Sequence, residues 1–170
     1  MLFFELPGPP GRPDSRLRFP ESIPIRAMEI RRSALVLHPA MDMYRLVQDV
    51  PAYPQFLSWC VEAQVHEQTA EHQVATLVVK IKGIRQTFTT RNRFVPGERL
   101  TLSLVDGPFR RLAGEWLFEP LGDEGSKVTL ALAFDFSNRM LSTAFQRGFA
   151  HVADRLVADF SARADDVYGL

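Results

Sequence analysis

The chain has 170 residues with 20 basic and 20 acidic side chains, so its formal net charge is zero and bulk attraction to nucleic acid is not expected. Hydrophobic residues make up 46% of it, enough for one domain with a core, and no apolar run approaches the roughly 18 residues of a membrane span. Its single cysteine, Cys60, excludes an intrachain disulfide and favours a reducing compartment, the cytoplasm.

Residues 1–27 differ in composition from the rest of the chain. They contain six of the 12 prolines and show no periodic pattern. We therefore predict an irregular lead, followed by one domain over residues 28–170. Met28 is itself a candidate native start, which would place the lead outside the native protein. A docking tail is the functional alternative.

The domain begins with a predicted strand and two short helices. Residues 29–37 alternate as a strand does, and His38-Pro39 ends it because proline disfavours continuation. Residues 41–50 have the apolar spacing of a short helix. Pro51 fits the first turn of a second short helix that runs to about residue 57.

Six further strands are predicted after these helices. They cover residues 61–67, 71–82, 84–95, 99–105, 110–119 and 127–136. Turn signals such as Pro96-Gly97 and Asp106-Gly107-Pro108 separate them. Short connections of this kind indicate an antiparallel meander.

The last segment, residues 138–167, has the apolar spacing of a long amphipathic helix. Ser137 or Asn138 is the expected cap at its start. A long helix with one apolar stripe needs a broad apolar surface to lie on. We therefore predict an α+β fold in which a seven-stranded antiparallel sheet wraps around the C-terminal helix, with two short helices after the first strand.

Several segments resemble one known family. The segment 43–60, MYRLVQDVPAYPQFLSWC, resembles the opening signature of the RatA-type toxins and coenzyme Q-binding proteins, which belong to the START-like, polyketide-cyclase-like superfamily. Residues 88–92, 104–110, 114–118 and 160–169 also match, in the expected order. Ser58 departs from the pattern, because the family usually has proline after Phe-Leu. The resemblance implies a helix-grip fold, whose element order is the one predicted above.

The space between sheet and helix is the first candidate site. We expect strand residues Phe88, Phe94, Leu102, Trp116, Leu130, Phe134 and Phe136 and helix residues Leu141, Phe145, Phe149 and Val152 to point into it. Such a gap is either an apolar ligand cavity or an ordinary filled core. The resemblance implies that it binds ubiquinone or another lipid in support of respiratory electron transport, with no cofactor required.

A group of basic residues is the second candidate site. Residues 72–97 contain no Asp or Glu, but they include Lys80, Lys82, Arg85, Arg91 and Arg93. Strand alternation puts Arg85, Arg91 and Arg93 on the face opposite Phe88 and Phe94. Arginine suits the phosphates of RNA or of lipid headgroups. A solvated face, partly neutralised by acidic neighbours, is the plain alternative.

The resemblance also implies a partner for this basic group. RatA-type factors bind the large ribosomal subunit, block subunit association and so inhibit translation initiation. Peripheral contact with a membrane is the other expectation for such a surface.

Enzymatic motifs are not evident in the sequence. The four histidines lack metal-ligand spacing, and neither a phosphate-binding glycine loop nor a nucleophile elbow is present. His151 in the long helix and Asp106 in a turn are more typical of a polar helix flank and a turn-stabilising side chain than of catalytic groups. We predict a protein that is not an enzyme and holds no metal. A polyketide cyclase-like enzyme is the third interpretation, which the superfamily names imply.

Overall fold

The computed structural model describes residues 28–137 and 141–169. The predicted lead at 1–27 therefore lies outside the described residues, as do positions 138–140 of the predicted helix. In chain order the elements are β1 (Met28–Val36), α1 (Ala40–Gln48), a 3₁₀ helix (Val50–Gln55), β2 (Cys60–Gln68), β3 (His72–Ile81), β4 (Ile84–Val95), β5 (Arg99–Asp106), β6 (Phe109–Leu121), β7 (Gly125–Phe136) and α2 (Thr143–Tyr168).

The strands form one seven-stranded sheet in the order β1-β7-β6-β5-β4-β3-β2, and every neighbouring pair is antiparallel. β2 to β7 make a meander, and β1 pairs with β7 at the far edge. The predicted α+β fold is confirmed, and each predicted strand lies within two residues of the observed bounds.

The start of α2 differs from the prediction. The helix begins at Thr143 instead of residue 138, and its cap is Ser142, whose Oγ accepts a hydrogen bond from the Phe145 N–H at 3.1 Å. Ser137 does not cap it, because the helix starts several residues later; the Ser137 backbone N–H donates instead to the Pro108 carbonyl at 3.0 Å. Leu141 therefore precedes the helix, although it is buried. The spacing of Leu141 and Phe145 imitates one helical turn, which is why periodicity alone extends the helix too far.

α2 packs its apolar stripe against the inner face of the sheet. The buried stripe consists of Phe145, Phe149, Ala153, Val157, Phe160 and Ala164. Phe149 is the centre of an aromatic cluster, with ring centroids 5.0 Å from Phe134, 5.1 Å from Phe109 and 6.4 Å from Phe88. The Phe134 and Phe88 rings meet Phe149 edge to face, which stabilises aromatic pairs beyond the area that they bury.

The hairpin between β3 and β4 rests on α2 through a glycine. Its two turn residues, Lys82 and Gly83, have positive φ values of 52° and 76°, as a two-residue type I′ turn requires. A methyl group on Gly148 of α2 would lie 2.3 Å from Cγ2 of Ile81. The absence of a side chain at Gly148 therefore lets the hairpin approach the helix closely.

We expect Gly148→Ala to lower the free energy of unfolding by about 1 kcal/mol, since overpacking costs about 1–3 kcal/mol and exceeds the helix-propensity gain of alanine. The control is Ala158, an exposed residue of α2. Ala158→Gly should lower the stability of the protein, because alanine has the higher helix propensity, whereas at position 148 glycine should be the more stable residue. Urea unfolding of both variants measures this. In an Ile81→Leu background, which lacks the Cγ2 methyl, Gly148→Ala should no longer destabilise; equal loss in both backgrounds would contradict the contact.

Candidate functional site

A cavity of about 100 Å³ lies between the sheet and α2. Its walls are mostly apolar. The lining residues are Val50, Tyr53, Trp59, Ala75, Leu77, Phe88, Thr90, Asn92, Leu100, Leu102, Leu112, Trp116, Leu130, Leu132, Phe149, Val152, Ala153, Leu156 and Phe160. We call this space the internal cavity. The half-buried members of this lining are Tyr53, Trp59, Leu77, Thr90, Leu102, Val152 and Leu156.

The structure brings some of the predicted ligand-binding residues to this cavity and not others. Phe88, Leu102, Trp116, Phe149 and Val152 line it, as does Leu130, which was expected to point inward. Phe94, Phe134, Phe136, Leu141 and Phe145 do not belong to its lining.

The residues outside the lining have other neighbours. Phe94 lies beneath α1, where its ring meets that of Tyr44 edge to face at 6.2 Å. Phe136 lies 6.1 Å from Phe145 and 5.8 Å from Phe134 between ring centroids, near the start of α2. None of these rings reaches the internal cavity. Phe94 and Phe134 are buried, whereas Phe136 is only half-buried, at a second pocket near the start of α2.

Polar side chains that the sequence analysis did not single out form a hydrogen-bonded chain at the cavity wall. Thr90 Oγ1 donates to Asn92 Oδ1 at 3.0 Å, and Asn92 Nδ2 donates to Gln73 Oε1 at 2.9 Å. Gln73 Nε2 in turn donates to Gln68 Oε1 at 2.9 Å and to the Gln48 carbonyl at 3.2 Å. These contacts fix the amide orientations. The sequence feature that could have indicated this polar chain is Asn92, a polar residue at an inward position between Phe88 and Phe94.

Tyr53 and Trp59 add two more polar groups to the wall. Tyr53 donates its hydroxyl to the Val47 carbonyl, and burial, with smaller contributions from Cys60 and Asp49, raises the pKa of that hydroxyl. The Tyr53 hydroxyl therefore stays protonated, and its hydrogen is engaged by the Val47 carbonyl. Trp59 Nε1 is buried without a hydrogen-bond partner. Trp59 lies in the connection before β2, where no periodic pattern indicates which way a side chain points.

The predicted basic group lies on the outer face of β3 and β4. Arg85, Arg91 and Arg93 are exposed while Phe88 and Phe94 are buried, as the strand alternation predicts. We call the five residues Lys80, Lys82, Arg85, Arg91 and Arg93 the basic stripe. Lys80 lies directly opposite Arg85 in the strand register, and Lys82 is exposed at the tip of the hairpin.

The basic stripe is not neutralised by carboxylates of the described residues. None of its five members forms an ion pair within that part of the chain. On the neighbouring strands, His72 Nε2 of β3 lies 3.5 Å from Glu67 Oε2 of β2, and Arg99 Nε of β5 lies 2.8 Å from Glu115 Oε1 of β6. Arg110 on β6 lies 3.8 Å from the Asp135 carboxylate of β7. Glu67, Glu115 and Asp135 thus contact side chains outside the stripe.

Over residues 28–137 and 141–169, no group of three or more His, Cys, Asp or Glu side chains is placed to hold a metal ion. Within the same ranges no helix has both the length and the apolar character needed to cross a membrane.

Both candidate sites lie in the part of the chain that matches one protein family. The sequence profile described as polyketide cyclase / dehydrase and lipid transport matches residues 36–161, which include every residue of the cavity lining and of the basic stripe. The chain belongs to this family. Family membership confirms the superfamily to which the sequence motifs pointed.

Individual relatives in the polyketide cyclase / dehydrase and lipid transport family carry two kinds of name. The chain is 45% identical over 141 residues to the ribosome association toxin RatA of Vibrio cholerae, covering 83% of this chain and 98% of that protein. It is 27% identical over 129 residues to the mitochondrial coenzyme Q-binding protein COQ10 of Drosophila melanogaster, covering 74% of this chain and 53% of that protein. The relative with high identity is thus named for the ribosome and not for an enzymatic reaction.

A solved structure with low sequence identity confirms the fold. The crystal structure of the Zhui aromatase/cyclase from Streptomyces sp. R1128 superimposes with a TM-score of 0.68 at 19% identity, covering 82% of this chain and 94% of that chain. At this identity the similarity concerns the fold alone.

Cys60, which lies beside Trp59 and is 3% exposed, should be unreactive in the folded protein. Burial raises the pKa of its thiol to about 11. At pH 8 the thiolate fraction is then at least about 100-fold below that of a free cysteine, so we expect alkylation to be slower by a similar factor until denaturant is added. Raising the pH towards 11 should accelerate it.

Ser58 offers a matched control for this measurement because it is exposed two residues away. The variant Cys60→Ala/Ser58→Cys should be alkylated rapidly without denaturant. Equal rates for Cys60 and for the control cysteine would contradict a buried thiol.

Proposed function

We propose that the protein associates with the large ribosomal subunit through its basic stripe and thereby inhibits translation initiation. The observation that carries this proposal is a run of five exposed cations without carboxylate partners among the described residues, on a chain whose net charge is zero. The relative named ribosome association toxin RatA is 45% identical over nearly its whole length, which supports the same partner. Exposed arginine and lysine side chains bind RNA phosphates and displace the counterions of the RNA.

The positions of the cations favour a role in binding over a role in stabilising the fold. Lys80 and Arg85 are directly opposite residues on neighbouring strands. Like charges at directly opposite positions destabilise a sheet. The register therefore keeps an unfavourable pair that a phosphate group between the two strands would make favourable.

Binding of an apolar ligand in the internal cavity is a second candidate function. The walls suit an apolar group, and the relationship to COQ10 and the lipid-transport description of the family support it. The volume of about 100 Å³ is well below the roughly 300–1,000 Å³ of sites for drug-sized ligands. Ubiquinone would therefore need the cavity to widen at Val152 and Leu156, whereas a small apolar group needs no such change.

The first test reverses the charge of three stripe residues. The variant Arg85→Glu/Arg91→Glu/Arg93→Glu should lose sedimentation with large ribosomal subunits, because its carboxylates repel phosphates. The three arginines are also replaced one at a time. If each contacts a phosphate, the three reductions in the steepness of log K against log salt should add up to about 2–3. Sedimentation over a series of salt concentrations measures both effects.

A charge-matched control separates the stripe from general electrostatics. Arg45, Arg147 and Arg155 are exposed arginines on the two helices, so Arg45→Glu/Arg147→Glu/Arg155→Glu makes the same change in net charge elsewhere. This control should still sediment with the subunits and still inhibit translation in a cell-free reaction. Loss of binding in the control, with retention in the stripe variant, would place the contact on the helices.

The second candidate function is tested by filling the cavity. Val152→Phe adds a ring at the half-buried side of the internal cavity, while Ala158→Phe adds the same group on the solvent side of α2. Native mass spectrometry of protein from its own host, followed by organic extraction, should detect a lipid or quinone with the wild type and with Ala158→Phe, and much less with Val152→Phe. Wild-type protein that carries no such molecule would contradict the carrier function and leave the ribosome proposal intact.

A further inference from the structure

The basic stripe has a gap in its middle. Its cations form a group at the hairpin between β3 and β4 and a pair near the other end of β4. The two outward positions between Arg85 and Arg91 are Thr87 and Thr89. β3 and β4 pair without a register shift over this stretch, so the distance from Arg85 to Arg91 is about 20 Å at about 3.3 Å per residue. The stripe therefore has two cationic ends and an uncharged centre, formed by Thr87 and Thr89.

Hydroxyl groups cross this centre from strand to strand. Thr89 Oγ1 lies 2.7 Å from Thr76 Oγ1 of β3, which in turn lies 2.7 Å from Nε2 of the exposed His66 on β2. The Thr87 hydroxyl is exposed and has no partner within residues 28–137 and 141–169. A hydroxyl group can donate one hydrogen bond and accept two, so these side chains retain hydrogen-bonding capacity for a ligand.

Two carboxylates flank the centre of the stripe. In the strand register, Asp106 of β5 lies opposite Thr89. Glu62 of β2 lies opposite Val78, the partner of Thr87. Both carboxylates are exposed, and neither forms an ion pair with another described residue. They would repel a phosphate in the centre but accept a hydrogen bond from a hydroxyl group, so the centre suits hydroxyl groups and the ends suit phosphates.

We infer that the basic stripe binds the minor groove of double-stranded RNA, with its cationic ends on the two phosphate backbones and its centre on the 2′-hydroxyl groups between them. This inference rests on the proposed function, since it specifies the RNA structure that the same surface recognises. The minor groove of an A-form helix is wide and shallow and displays 2′-hydroxyl groups, so short threonine side chains on a sheet face can reach them.

Other nucleic acids fit this arrangement less well. The minor groove of B-form DNA is about 6 Å wide, and its sugars lack the 2′-hydroxyl group. A single strand that followed β4 from Arg85 to Arg91 would place phosphates over the centre, where Asp106 and Glu62 would repel them. The order of cations, hydroxyl groups and cations thus favours a duplex with two backbones.

The test measures binding of the full chain to four fluorescent probes of one sequence by anisotropy. The probes are an RNA duplex of about 16 base pairs, the same duplex with 2′-fluoro sugars, the DNA duplex and one RNA strand alone. The 2′-fluoro duplex keeps the A-form but has no hydroxyl donor. We expect the RNA duplex to bind about tenfold more tightly than the 2′-fluoro duplex, since one neutral hydrogen bond contributes about two- to tenfold. The RNA duplex should also bind more tightly than the DNA duplex and the single strand.

A matched pair of variants tests the hydroxyl contact itself. Thr87→Val removes one hydroxyl group of the centre and keeps a β-branched side chain in the strand. It should lower the preference for the RNA duplex over the 2′-fluoro duplex about two- to threefold, and leave the salt dependence unchanged because no cation is lost. Thr143→Val removes an exposed hydroxyl group at the start of α2 and should change neither quantity.

The outcomes separate this inference from the proposed function. Equal affinity of the wild type for the RNA and 2′-fluoro duplexes, tighter binding of the single strand, or binding to none of the probes would overturn the inference. In each of these cases, sedimentation of the wild type but not of Arg85→Glu/Arg91→Glu/Arg93→Glu with large ribosomal subunits would leave the proposed function standing. Wild-type protein that binds neither the probes nor the subunits would overturn both. The comparison of probes needs no variant, so a folding defect in Thr87→Val does not obscure the result.

Discussion

The packing of α2 against the inner face of the sheet determines both the core and the space left in it. Phe149 and Phe160 are large side chains that hold the helix away from the strands, and Ala153 between them is small. All three line the internal cavity. The cavity is therefore a consequence of the size order along one helix stripe, because a small residue between two large ones cannot fill the gap that they create. The same aromatic residues stabilise the domain through the cluster around Phe149.

The pleat of β4 connects the two candidate sites. Inward positions of this strand supply Phe88, Thr90 and Asn92 to the cavity wall, and outward positions supply Arg85, Arg91 and Arg93 to the basic stripe. Successive residues of a strand point to opposite faces, so one strand can serve an apolar interior and a charged surface without compromise between them. The two functions weighed above thus use the same element but different side chains.

The sequence is sufficient for the fold and only partly sufficient for the sites. β4 is predicted to the residue, with Pro96-Gly97 as the turn signal after it, whereas Leu141 stays in phase with α2 without being part of it. Alternation also identifies which strand residues point inward. Alternation does not indicate which inward residues border a cavity, because that depends on the sizes of the side chains that face each other. Phe94 and Phe134 are examples: they point inward but lie outside the cavity lining. The direction of Trp59 depends on tertiary packing of a connection without periodicity.

The amide chain from Asn92 through Gln73 to Gln68 also specifies how the strands align. Sliding β4 by one position against β3 would move Arg91 to the inner face and leave the fully buried Gln73 amide without its partner on β4. Apolar side chains tolerate several alignments of similar energy, but a buried amide accepts only the alignment that supplies its hydrogen bonds. These three polar residues therefore make the observed alignment of β2, β3 and β4 more stable than a shifted one.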